Sequence, residues 1–383
     1  MRPDRRRFLQ SSAALACGTL LSAGRAVAER NVEEPWHDQL APRPPAFSVI
    51  PVVGDGRWIW TAPPTDQTGY LEPRKYRLRV GIDLDASGDA RDVLASTPVP
   101  IVVPEQQITA ERVTTNLGAA GIDGLTPTAR QLTLVVPQLA RGARASAVAE
   151  FELTVAKQYF GFDAEQFPVE QKIPLEVRAA GLGDSPGIQT QSPPLLKLLQ
   201  ELKGSRTHPW QLARSFAEWV PQHIRPQLGT YTSVTTALEK RVGDCEEMAG
   251  VFVALCRAAG IPARLVWIPN HVWSEFYLTD HEGRGHWIPA HTACYPWFGW
   301  TGVHELVIQK GDRLRLPGKP GLVRLQTDRL RWGGAKPTAR YWAELEPQAE
   351  APDADPGPGA RSKSPTGEWV VQNKHPLDRV ARR

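Results

Sequence analysis

Cysteine is scarce in this chain of 383 residues, with four in all. Cys17 falls in an N-terminal segment that reads as a removable signal, which leaves Cys245, Cys256 and Cys294. Three cysteines make no disulfide framework, and whether Cys256 and Cys294 pair is open. Charge of one sign is lacking too. Residues 1–28 carry five of the 45 basic residues and one of the 41 acidic ones, so the remainder is formally neutral at 40 of each. That balance excludes nucleic acid or an anionic membrane surface as an expected partner. Beyond the N-terminal segment, no stretch is long enough and free enough of charge to span a bilayer, so no transmembrane anchor is expected. Internal repeats are absent as well.

What is present begins with that segment. Arg5-Arg6-Arg7-Phe8-Leu9-Gln10 resembles the twin-arginine consensus, a moderately apolar run follows from Ser11 to Ala23, and Ala26-Val27-Ala28 makes a cleavage box before Glu29. The expectation is a signal over 1–28 and a periplasmic or secreted protein. An extended lead-in is expected over 29–46. From 47 to 180 the pattern is strand-like: Tyr76, Leu78, Val80, Ile82 and Leu84 alternate with Arg77, Arg79, Gly81 and Asp83. Gln131–Val136, Glu150–Val155 and Lys172–Arg178 are further candidate strands. Short strands between turns suggest an immunoglobulin-like β-sandwich. Residues 181–194 read as a linker, and 195–346 as a second domain. That domain has helices at Leu195–Leu202, Pro209–Val220 and Thr235–Arg241, with closing strands near Leu306–Gln309 and Leu322–Leu325. Residues 347–383, rich in proline, alanine, glycine and charge, read as disordered.

The chemistry concentrates in the second domain. Asp244 can cap a helix, and Glu247 three residues on completes a capping box. Met248, Val251, Phe252, Leu255 and Ala259 follow at helical spacing until Gly260 and Pro262 stop the helix. Cys245 therefore lies in the first turn, where unpaired N–H groups and the positive end of the dipole favour thiolate. Its N–H is a candidate oxyanion donor. Glu246 and Glu247 oppose thiolate formation, so a base is required. Cys256, deep in the same helix, reads as a structural cysteine.

Arg264–Ile268 and His271–Leu278 read as consecutive strands. On period two, His271, Trp273, Glu275 and Tyr277 share one face. After a turn over Thr279–Gly285 the chain returns as His286–His291, which places 291–293 opposite His271. A residue there can orient the imidazole, the third role beside a nucleophile and a base. Trp273, Tyr295 and Trp297 belong to a dense aromatic group near this point, suited to lining a peptide or sugar site. His271, His281, His286, His291 and Cys294 crowd one segment, but their spacing matches no familiar zinc pattern, so no metal is expected.

Gly243-Asp244-Cys245, Arg257–Arg264, His271-Val272-Trp273-Ser274-Glu275 and Trp287-Ile288-Pro289 together resemble the core of the transglutaminase-like superfamily, a branch of the papain-like thiol enzymes. The resemblance covers roughly residues 195–295. It implies an α+β fold, a helix plus an antiparallel sheet, carrying a Cys-His-Asp triad. Carried over, Cys245 is the nucleophile and His271 the base. The position of the family's aspartate, counted from Trp287, holds His291, which can accept a hydrogen bond from His271 but brings no negative charge. Glu275 is a second source of charge, and Tyr231 a second oxyanion candidate by analogy with relatives. The function expected is cysteine-dependent acyl transfer without a cofactor, hydrolysing or transferring a bond in a peptide, protein or cell-wall-type amide. The competing reading is a non-catalytic peptide- or glycan-binding module with a degenerate triad.

Overall fold

The computed structural model describes residues 37–41 and 62–348, apart from positions 228, 230, 270, 294, 296 and 317. The expected signal at 1–28 and the expected disordered tail beyond 348 lie outside the described residues, as does Cys294 with its possible pairing.

The first half is built by alternation. A short strand, β1 (His37–Ala41), is followed by β2 (Gly69–Asp85), β3 (Ala90–Val99), β4 (Gln106–Thr115), β5 (Ala119–Thr126), β6 (Ala129–Leu139) and β7 (Arg144–Tyr159). In β2, Leu78, Val80, Ile82 and Leu84 are buried while Arg77 and Asp85 are exposed, the period-two pattern of a strand with one face in a core. These side chains meet Leu134 of β6 and Phe151 of β7 in one apolar cluster.

The helices follow: α1 (Leu175–Gly181), α2 (Pro193–Lys203), α3 (Pro209–His223), α4 (Val234–Lys240) and α5 (Cys245–Ala258), with two-residue strands β8 (Arg225–Pro226) and β9 (Val242–Gly243) between them. Next come β10 (Ala263–Ile268), β11 (His271–Thr279) and β12 (Gly285–Ala290). Short β13 (Trp300–Thr301) and β14 (Gln309–Lys310) lead to β15 (Asp328–Gly334) and β16 (Thr338–Pro347). Helix α5 packs on the β11 face that carries Val272, Phe276 and Leu278, with Phe252 edge-on to Phe276 at a ring-centroid distance of 6.1 Å.

The sheets cross the boundary drawn in the sequence. A nine-stranded antiparallel sheet runs β1-β15-β3-β6-β14-β10-β11-β12, with β5 also on β6. A five-stranded sheet runs β13-β7-β2-β16, with β4 on β7. The C-terminal strands thus return to the first half. β16 lies along β2 from Thr338↔Asp85 to Pro347↔Tyr76, and Leu330 and Trp332 of β15 join the same core as Leu78 and Phe151.

Three sequence expectations are corrected. Lys172–Arg178 is not a strand: Pro174 caps α1, whose N-terminal residue is Leu175. The proline fixes a helix-entry conformation, and an apparent alternation of Ile173, Leu175 and Val177 misleads. In Leu306–Gln309 only Gln309 enters a strand, and in Leu322–Leu325 only Val323 makes an isolated bridge, to Leu314. The chain is closed instead by β15 and β16.

Candidate active site

The start of α5 is held as its sequence predicts. The Asp244 side chain accepts from the N–H of Glu246 at 2.9 Å, and Glu247 Oε2 accepts from the N–H of Asp244 at 3.0 Å, completing the capping box. Glu247 Oε1 also accepts from the Thr232 N–H at 2.7 Å. Cys245 is the first residue of the helix and keeps 7% exposure.

The far end of α5 locates its near end. Gly260 turns the chain with φ 80°, Arg257 donates through Nε and Nη2 to the Ala263 carbonyl at 3.1 and 2.9 Å, and the Tyr277 N–H donates to the Pro262 carbonyl at 2.8 Å. Buried Arg257 is in turn paired with Asp312 at 2.6 Å. The C-terminus of α5 is therefore pinned at the Tyr277 end of β11. At about 1.5 Å per residue α5 is roughly 20 Å long, and His271 to Tyr277 spans roughly 20 Å at about 3.3 Å per residue. Phe252, midway along α5, packs against Phe276 of β11.

Three carboxyl groups lie next to Cys245 along the chain. Burial, reinforced by the hydrogen bond and charge of Glu247, pushes Asp244 up to about 8. Burial also acts upward on Glu247, but hydrogen bonds from Asp244 and Thr232 outweigh it and hold this carboxylate below its ordinary value. Glu246 is raised by burial, an effect offset in part by its ion pair with Arg324. The helix start thus holds Asp244 toward its protonated form, Glu247 toward its ionised form and Glu246 against arginine, which is less negative charge than the sequence suggests.

His271 is 4% exposed, and burial lowers it to about 4, so it is a neutral imidazole at pH 7. The β11–β12 ladder runs from Thr279↔Gly285 to Ser274↔Ala290 and then stops. The chain folds back on itself, with the His291 N–H donating to the Trp297 carbonyl at 3.1 Å and the Gly299 N–H to the Pro289 carbonyl at 2.8 Å. This carries the His291 ring onto the indole of Trp273, stacked at 4.8 Å and 20°. Trp273 is two residues from His271 on the same strand face, about 7 Å along the strand. His291, 1% exposed, is held well below its ordinary value by burial and by neighbouring His271.

The aromatic residues do not all line a groove. Trp273 (2% exposed) and Tyr295 (6%) are buried and wall in His291. Trp297, half-buried, stacks on Tyr295 at 4.1 Å and meets His291 edge-on at 5.4 Å. It is the member of this trio with surface left for a ligand. Glu275 does not serve His271. It is buried between Arg264 at 2.6 Å and Lys310 at 2.5 Å, and Lys310 also reaches Glu105 at 2.6 Å. His281 and His286 are tied to the Glu165 carbonyl at 3.1 Å and to Asp280 at 2.8 Å. Tyr231 lies under Arg324 at 3.6 Å, and burial, then Glu246, hold its phenol above its ordinary value. Buried Cys256 has its thiol raised by desolvation.

Sequence reasoning missed Arg324, Thr301 and Glu305. Arg324 neutralises Glu246, the Thr301 hydroxyl lies 3.1 Å from His291 Nε2, and Glu305 is a buried acid beside Trp273, raised by burial to about 8. No local pattern marks them, because each meets its partner through the fold. A separate groove of about 530 Å³ lies on the five-stranded sheet among Arg77, Arg79, Arg112, Glu150 and Glu152, and holds no nucleophile.

Residues 197–292 match the model of the transglutaminase-like superfamily, so this stretch of the chain is a transglutaminase-like domain. A peptide-N(4)-(N-acetyl-beta-glucosaminyl)asparagine amidase from Yarrowia lipolytica is 37% identical over 68 residues, and the chain spans only 18% of that protein's length. A candidate cysteine protease from Cytophaga hutchinsonii shares the fold with a TM-score of 0.50 at 17% identity, over 74% of this chain and 94% of its own. A candidate protease from Parabacteroides distasonis covers 55% of this chain and 42% of its own at 11% identity and a TM-score of 0.23, too low to carry an argument. Among the described residues no helix is long and apolar enough to cross a membrane.

Proposed function

We propose that this protein is an exported thiol-dependent amidase or peptidase, with Cys245 as nucleophile, His271 as base and His291 as third member of the site. The observation that supports the reading is a cysteine at the start of α5 and a neutral buried imidazole at the start of β11, the strand on which α5 packs. Cys245 attacks an amide carbonyl as its thiol proton passes to His271, and the imidazolium then gives that proton to the leaving amine. The developing oxyanion forms at the positive end of the α5 dipole. Water completes the cycle by hydrolysing the thioester. The substrate is a peptide, a protein or a cell-wall-type amide, met across Trp297. The two-sheet region, read as an immunoglobulin-like sandwich, supports the site, and the twin-arginine signal directs the protein to the periplasm or beyond.

The test uses iodoacetamide, with alkylation of Cys245 followed by peptide mass mapping. The expected rate at pH 7 falls by about 100-fold in His271→Ala, the lower range for loss of a general base. Acid should remove the base only as His271 protonates, so the wild-type rate should decline toward about pH 4. A peptide library should be cleaved by the wild type and left intact by Cys245→Ala. Alkylation that rises only near the ordinary thiol value of about 8.5, unchanged in His271→Ala, would favour a binding module instead.

A further inference from the structure

The third member of the site is a histidine where the family pattern has an aspartate, and a histidine works there only in one tautomer. To serve His271 it must present a bare nitrogen. Its Nε2 lies 3.1 Å from the Thr301 hydroxyl, while its Nδ1 is buried with no hydrogen-bond partner among the described residues. A buried N–H left without a partner is rarer than a buried lone pair in the same state, so the proton belongs on Nε2, bonded to Thr301. Stacking on Trp273, with Tyr295 and Trp297 edge-on, keeps the ring from turning over.

The geometry points to Thr301 as a positioning residue that holds the His291 proton on Nε2 and so presents Nδ1 as the acceptor for His271. The inference rests on the proposed roles of Cys245 and His271 and adds a fourth residue to them. His271 Nε2 is likewise buried with no hydrogen-bond partner among the described residues, and with His291 Nδ1 bare a proton kept on Nε2 can close onto that lone pair as the site tightens around substrate. Its Nδ1 is then the lone pair that takes the Cys245 proton. When that proton arrives, the His271 imidazolium still donates through Nε2 to His291, and no further proton moves. If His291 instead carried its proton on Nδ1, two N–H groups would oppose each other. His271 would have to shift its proton to Nδ1 and lose its function as a base.

Thr301 owes its place to the first half of the chain. It lies on β13, which pairs with β7 through Trp300↔Tyr159 and Thr301↔Gln158, and Trp300 stacks on Tyr159 at 5.7 Å. Both β7 and Thr301 fall outside the 197–292 span of the family match. The β-rich region thus supplies the strand that orients the catalytic histidines.

Two measurements test this on the full chain. Long-range 1H–15N correlation spectra of histidine-labelled protein should show His291 as the Nε2–H tautomer, and an Nδ1–H tautomer would overturn the proposal without any substitution. Thr301→Val, close in shape but without the hydroxyl, should slow Cys245 alkylation at pH 7 by about 5- to 10-fold, as expected for one buried hydrogen bond, and Thr301→Ser should restore it. A Thr301→Val protein whose rate, pH profile and His291 tautomer all match the wild type would sink the role of Thr301. If the wild type itself shows no dependence on His271, the enzyme reading fails first, which separates the two outcomes. Should Thr301→Val not fold, the wild-type tautomer and the Thr301→Ser profile still decide.

Discussion

At the residue scale the reactivity expected of Cys245 depends on how its acidic neighbours are neutralised. Cys245 is followed by two glutamates and preceded by an aspartate, a sequence that by itself disfavours thiolate. The fold answers each: burial holds Asp244 toward its protonated form, Glu247 is engaged in the capping box and Glu246 is paired with Arg324. Arg324 is therefore the residue whose loss should be felt most directly at the sulfur. In Arg324→Ala an unpaired Glu246 carboxylate would stand one residue from Cys245. The expected outcome is a fall of about 5-fold in Cys245 alkylation at pH 7 and low salt, in line with roughly 1 kcal/mol for a partly exposed pair, and a smaller fall at high salt as screening grows. A salt-independent rate equal to the wild type would show that Arg324 does not act on the thiol.

At the scale of elements, the turn from β9 into α5 leaves no room for a side chain at Gly243. A Cβ there would lie 2.6 Å from the Cβ of Glu247, well inside contact distance. Relief requires Glu247 to move, and Glu247 holds the capping box and Thr232. Gly243→Ala should accordingly lose about 1–3 kcal/mol of stability, the usual range for overpacking a tight site. It should also lose much of the Cys245 reactivity, because the helix start carries the sulfur. Thermal unfolding with parallel alkylation measures both, and an unchanged melting temperature would contradict the account.

At the scale of the molecule, the two halves of the sequence are one pair of sheets. β15 and β16 lie near the end of the described chain, yet they complete sheets whose other strands come from its first half. A fragment of residues 62–180 would leave open the edges of β2 and β3 that now pair with β16 and β15, and would remove Leu330 and Trp332 from the core. The expectation is that this fragment stays unfolded, with a collapsed amide spectrum, and that adding residues 181–348 in the same chain restores dispersion. A well-dispersed spectrum from the short fragment would show that the first half folds alone.

The amino-acid sequence alone determined the parts that depend on neighbours along the chain. The capping box at Asp244, the apolar stripe of α5, the alternation of β11 and the turn that brings β12 back are all set by contacts within a few residues, and all are legible in the residue order. That is why Cys245 and His271 stand out before any fold is known. Tertiary structure alone decided how those two residues are served. Pairing over long separations brought Thr301 to His291, Arg324 to Glu246 and β15 to β3, and burial set the protonation of Asp244 and His271. Such contacts leave no periodic trace in a sequence, because their partners are chosen by sheet register and core packing rather than by spacing along the chain.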